Sequence, residues 1–115
     1  MKSKFRTLLL VVLSLLLPVT IAAQTHRGSL RGTIYDPNQA VIPGATVTVT
    51  SVATGEVRTT TTDRSGDYGI SSLAAGIYQV DVEGSSFQKH SERIEILVNQ
   101  EQRLNVTLSP SGPAP

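Results

Sequence analysis

From Gly28 onward the chain alternates apolar and polar residues one for one, in short runs that end in turn-forming clusters. This is the period of strands with one face on a core. "GSLRGTIYD" sets Leu30, Gly32 and Ile34 against Arg31, Thr33 and Tyr35, and Asp36-Pro37-Asn38 closes it. "GATVTVTSV" sets Ala45, Val47 and Val49 against Thr46, Thr48 and Thr50, before Thr54-Gly55 turns the chain into "EVRTTTTD". After the turn "DRSGD" come "YGISSL" and "GIYQVDVE", the latter with Tyr78, Val80 and Val82 opposite Gln79 and Asp81. "RIEILV" points Ile94, Ile96 and Val98 inward, and past Asn99-Gln100 "RLNVTLS" does so with Leu104, Val106 and Leu108. Beyond the first residues no window holds a helical repeat. The pattern predicts an all-β fold of about seven strands, an antiparallel sandwich with Greek-key-like topology.

The threonines follow from the same pattern. A strand with one wet face needs side chains that favour extended backbone yet tolerate water, and threonine combines β-branching with a hydroxyl. The run Thr59 to Thr62 would place threonine on the inner face as well, which suits an edge strand or one fading into a turn.

The first residues break the pattern. Lys2, Lys4 and Arg6 precede an apolar run from Leu8 to Leu17, Pro18 interrupts it, and small residues lead to Gln24. This order reads as a signal peptide over residues 1–23, cut after Ala22 or Ala23. The run is short of the about 20 residues a spanning helix needs, so no stable transmembrane span is expected after cleavage. With no cysteine anywhere, acylation of a lipoprotein cysteine is excluded, and the exported domain must hold together without disulfides. A polar arm (24–28) leads into the sandwich (29–109), and a Pro-rich linker or tail (110–115) follows. Beyond residue 23 seven basic residues face nine acids, so the slight basicity belongs to the leader and no cationic stripe suggests nucleic acid.

Several residues in this region carry a resemblance. Gly32 and Asp36 flank the end of the first strand, Pro43-Gly44-Ala45 precedes the second, and Thr62-Asp63 with Gly66 and Tyr68 forms the central turn. Leu73, Gly76 and Tyr78 continue the series, and Gly84 with Phe87 closes it. In these positions the chain resembles the carboxypeptidase regulatory-like domain, a transthyretin-like or prealbumin-like β-sandwich related to the B-type repeats of collagen adhesins. The resemblance implies the prealbumin/immunoglobulin-like arrangement and structural roles for these residues. It implies no carboxypeptidase activity, since such domains occur as appendages. Physical reasons stand beside it. Pro43 fixes φ, Gly44 and Gly66 permit positive φ, Asp63 can accept bonds from its own turn, and Tyr68 and Tyr78 can fill the core with a polar tip at its edge.

Chemistry is sparse. Asp63, Ser65 and Asp67 alternate in "DRSGD", but Gly66 falls in the wrong place for a calcium loop and no later bidentate acid follows, so a plain turn is expected. His26 and His90 are too few for zinc without acids at ligand spacing. Transthyretin-like hydrolases end in a Tyr-Arg-Gly-Ser type tail, which this chain lacks. An isopeptide cross-link would need a lysine, and the first strand offers Arg31 instead. Lys89 is the only lysine past the leader, although Asn105 stands on the last strand.

No catalytic residue, metal or cofactor is therefore expected. The reading is a non-catalytic exported binding or scaffold module of the bacterial cell envelope, periplasmic, outer-membrane-associated or secreted. Similar domains stand at the N-terminus of TonB-dependent outer-membrane receptors. The alternative is a carbohydrate-binding module, in which Tyr35, on the polar face of its strand, is the ring free to stack. A transthyretin-like hydrolase comes third. The partner would be a carbohydrate or another envelope protein.

Overall fold

The computed structural model describes residues 27–111; the proposed leader, the residues before Arg27 and residues 112–115 lie outside them. Eight strands follow in order: β1 (Arg27–Tyr35), β2 (Thr46–Ser51), β3 (Val57–Thr61), β4 (Asp67–Ala74), β5 (Gly76–Glu83), β6 (His90–Ile96), β7 (Glu101–Arg103) and β8 (Val106–Thr107). They form two sheets. One runs β4-β1-β7 with β8 further along β1, and the other runs β3-β2-β5-β6. Only Ala75 separates β4 from β5, so the chain passes between the sheets almost without a break. The described residues form an all-β sandwich.

The alternation does what it predicts in the second sheet. Val47, Val49, Val80 and Val82 are fully buried, and the threonines beside them on β2 are half-buried on the outer face. Leu30 and Ile34 of β1 meet them from the other sheet, with Leu73, Ile96 and Leu108 closing the core. Each such side chain contributes roughly 1.5–3 kcal/mol on leaving water, which lets a domain without cysteine dispense with cross-links. The threonine run forms edge strand β3, and Thr60 lies on its inner side opposite Val47. Thr62, just past it, is buried, because its hydroxyl donates to the Ile42 carbonyl and accepts the Ala45 N–H at 2.7 and 2.8 Å.

The first sheet and the segments leading into and out of it depart from expectation in five ways. β1 begins at Arg27, so two residues assigned to the arm are already paired, Arg27 with Ala74 and Gly28 with Leu73. Thr33, expected on the wet face, is buried because its hydroxyl donates to Asp67 Oδ1 at 2.5 Å. The final strand runs parallel to β1 and not antiparallel, and it is broken into β7 and β8. The break falls at Leu104 and Asn105, where Asn105 Oδ1 accepts the Thr33 N–H at 2.9 Å in place of a backbone carbonyl. Val98, expected inward, is 39% exposed because β6 ends at Ile96 and the chain turns through Asn99, at φ 56°, to bond Arg27 O. The tail assigned from residue 110 begins docked, with Pro110 bridged to Phe87 and Ser111 N–H bonded to Ser86 O at 2.9 Å.

Two glycines make the parallel crossing possible. A Cβ on Gly32 would lie 1.8 Å from the Leu104 carbonyl oxygen, and one on Gly28 would lie 2.4 Å from Leu97 O. Backbone therefore packs directly on backbone where the C-terminal segment crosses β1.

Candidate functional site

The residues singled out in the sequence divide between the two ends of the sandwich. At one end the turns meet. Ile34 N–H donates to Gly66 O, Ile42 N–H to Ile34 O, and Gly44 N–H to Thr62 O, at 2.9 to 3.1 Å. Asp36 Oδ1 accepts from Asn38 N–H and Ala40 N–H, closing the loop after β1. Pro43 leads into Gly44 at φ 74°, which delivers Ala45 into the core. Asp63 Oδ1 accepts from Ser65 N–H and Asp67 N–H, and Gly66 takes φ 73°. Space as well as φ demands glycine there, since a Cβ would sit 2.7 Å from that of Val41. Phe87 packs partly buried against the core at the same end, close to Gly84.

Toward the other end lie Gly76, at φ 149°, and Tyr78, which is paired with Ser51 and Ile94. Tyr78 donates its hydroxyl to Ala74 O at 2.7 Å, and Tyr68 donates to Leu104 O at the same distance. Both rings are 4% exposed, and burial pushes both phenols above their ordinary value, with Glu92 adding to the effect on Tyr68 and Glu56 to that on Tyr78. Neither is poised as an acid or base near neutrality; each ties a ring to a carbonyl.

Acidic side chains here are also engaged. Asp67 holds Thr33, and Asp63 holds its own turn. Among the described residues, no three of His, Cys, Asp or Glu are placed to hold a metal. His90 Nε2 meets Glu92 at 2.7 Å, Lys89 meets Glu83 at 3.8 Å, and Asn105 has spent its oxygen on Thr33.

One concavity gathers uncharged side chains around an aromatic ring. Tyr35, Gln39, Asn105 and Thr107 line a concavity of about 340 Å³ where β8 runs beside the end of β1. The lining carries no charge: one half-buried ring, two amides and a hydroxyl. Sequence reading reached Tyr35 as a ligand contact, named Asn105 only in connection with an isopeptide bond, and did not reach Gln39 or Thr107. Gln39 comes from the loop held by Asp36 and takes φ 64°, while Asn105 and Thr107 arrive only through the parallel pairing. Alternation carries no signal for that pairing.

This geometry defines a β-sandwich domain whose marked residues build turns and core. The chain belongs to the carboxypeptidase regulatory-like domain family, whose model matches residues 29–109. No curated protein matches it. Among solved structures it is similar to the Bacillus anthracis TIE protein, with TM-score 0.65 and 20% identity over 74% of this chain and 17% of that one. It is also similar to BcpA, the major pilin subunit of Bacillus cereus, with TM-score 0.60 and 20% identity over 74% of this chain and 30% of that one. The catechol 1,2-dioxygenase of Acinetobacter radioresistens gives TM-score 0.64 and 12% identity over 82% of this chain and 55% of the enzyme. These likenesses describe the fold alone. The chain spans between about a sixth and just over half of these proteins' lengths.

Proposed function

We propose that the domain is a non-catalytic binding and scaffold module, exported to the bacterial cell envelope and related in role to the N-terminal extensions of TonB-dependent outer-membrane receptors. The observation that carries this reading is where the polar groups go. Asp36, Thr33, Asp63, Asp67, Thr62, Tyr68 and Tyr78 each make hydrogen bonds internal to the fold, mostly to backbone. A side chain that closes a turn is held there and is not presented to a substrate. The basic, apolar and small-residue order of the first 23 residues supports export. Cell fractionation with mass spectrometry of the mature N-terminus tests the reading. Envelope-associated protein beginning at Ala23 or Gln24 is expected; cytoplasmic protein that retains Met1 refutes it.

A second reading, a carbohydrate-binding module, is favoured by the uncharged concavity at Tyr35, where a ring beside amides and a hydroxyl suits a neutral, hydroxyl-rich ligand. A glycan array tests it. Binding that Tyr35→Ala abolishes supports this site, and an array with no bound glycan removes the reading.

A further inference from the structure

A sheet edge exposes unpaired N–H and C=O groups, and proteins blunt such edges with charge, irregularity or brevity. Three of the four edges among the described residues are blunted. β6 carries His90, Glu92, Arg93 and Glu95. β7 and β8 are three and two residues long. Along β4 the register slips against β1 and Ser72 takes φ 59°. Two guanidiniums also cap β4 carbonyls there, Arg27 on Ser72 O at 2.7 Å and Arg58 on Ser71 O at 3.2 Å.

β3 has none of these devices. Its five residues pair with β2 without a slip, from Thr46 with Thr61 to Thr50 with Val57, and its one charge, Arg58, is turned inward onto β4. The bonds Ser51 N–H to Glu56 O and Thr62 N–H to Ala45 O fix which backbone groups face β2. Even-numbered residues point toward β2, so Val57, Thr59 and Thr61 turn their N–H and C=O groups outward. Their side chains are exposed on the outer face, Val57 at 56%.

We propose that β3 pairs with β3 of a second copy, antiparallel about a two-fold axis at Thr59, joining two four-stranded sheets into one. The sequence "VRTTT" is self-complementary in this register. Thr59 faces Thr59 of the second copy, Val57 faces Thr61, and Arg58 faces Thr60, so no like charges stand directly opposite. All three outward residues fall in hydrogen-bonded pairs, and each exposed Val57 gains a β-branched neighbour across the seam. A second copy fits better than an unrelated strand because both requirements, free groups in phase and staggered charges, are met by this one segment. The proposal does not depend on the scaffold reading.

The test is sedimentation velocity on the purified protein from micromolar to millimolar concentration, where a monomer–dimer equilibrium is expected. Thr59→Lys puts two ammonium groups face to face on an exposed position, and it should weaken the dimer by at least about tenfold with an unchanged circular dichroism spectrum. The chain has no cysteine, so Thr59→Cys supplies its sole thiol. Cα atoms about 5.5 Å apart in a hydrogen-bonded pair suit a disulfide, and mild oxidation should cross-link this variant but not Ser91→Cys on β6. A protein monomeric throughout the range, a dimer indifferent to Thr59→Lys, or equal cross-linking at both cysteines would overturn the proposal.

Discussion

The two sheets use the same residue types and obtain their order by different means. In β3-β2-β5-β6 every pairing is antiparallel and runs without a slip, and the side-chain bonds within the sheet are few: Ser91 and Gln79 to Asp81, and His90 to Glu92 on β6. In β4-β1-β7 the register slips beside Gly28, the last segment runs parallel, and side chains replace missing ladder bonds. Repetition stabilises the β3-β2-β5-β6 sheet, where the load is spread over many equivalent pairs. The β4-β1-β7 sheet rests on individual residues. Gly28 and Gly32 admit a crossing backbone, Asn105 supplies a carbonyl where the strand breaks, and Tyr68 anchors Leu104.

Sensitivity to substitution should follow that division. The largest effect is expected at Gly32. Its Cβ would meet Leu104 O at 1.8 Å and the Tyr68 ring at 2.9 Å, and Leu104 is held in place by its N–H bond to Arg31 O and by the Tyr68 hydroxyl on its carbonyl. Gly32→Ala should cost more than about 3 kcal/mol in urea unfolding, a large part of the stability of a small domain. Gly44 offers a control. A Cβ there meets nothing and only the positive φ is unfavourable, so Gly44→Ala should cost about 1 kcal/mol. Equal losses at the two positions would break the claim that backbone crowding, and not backbone φ alone, demands glycine at position 32. Next comes Val80→Ala in the regular sheet, where a fully buried side chain is lost without disturbing the ladder. About 2 kcal/mol is expected, from lost burial plus a small cavity.

The regular sheet could be read directly from the sequence. Val47, Val49, Val80 and Val82 alternate with polar partners, and alternation is what a half-buried antiparallel strand requires. The turns were legible too, because Pro43-Gly44 and Asp63 with Gly66 act through their own backbone preferences. The parallel closing segment was not. Its pairing is non-local, and the marks it leaves, a glycine in phase with Leu30 and Ile34 and an Asn in "RLNVTLS", have many other uses. The concavity at Tyr35 was hidden for the same reason, since Asn105 and Thr107 reach it only through that pairing.

Smaller substitutions sharpen the contrast by separating hydrogen bonds from sterics. Asn105→Ala leaves Thr33 N–H without a partner in a partly buried place, and a cost of about 1–2 kcal/mol is expected. Tyr68→Phe keeps the ring but frees Leu104 O, for about 1 kcal/mol at neutral pH. It also changes the alkaline limb. Burial raises the folded phenol above the unfolded value of about 10, so between the two the folded state holds the extra proton and stability falls as pH rises. Urea midpoints measured above about pH 10 should therefore decline for the wild-type protein and decline less steeply for Tyr68→Phe, with Tyr78 accounting for the remainder.

The smallest effect is expected where the regular sheet makes a similar bond in water. Ser91 donates to Asp81 Oδ1 at 2.5 Å, and this bond, opposed by desolvation and helped by Gln79 and Lys89, holds the carboxyl below its ordinary value. A depressed carboxyl stabilises the fold above the unfolded value of about 3.9, and the contribution is lost as pH falls through the folded one. Ser91→Ala should move the Asp81 titration upward in an NMR carboxyl titration while leaving the urea midpoint at pH 7 nearly unchanged, because water takes the place of the hydroxyl. The Asn105 bond is less readily replaced, since Thr33 is buried and the bond itself is partly shielded from water. A neutral-pH loss at Ser91 as large as that at Asn105 would mean that the outer face of the regular sheet also depends on single residues, and an unmoved Asp81 titration would mean that the hydroxyl does not hold the carboxylate.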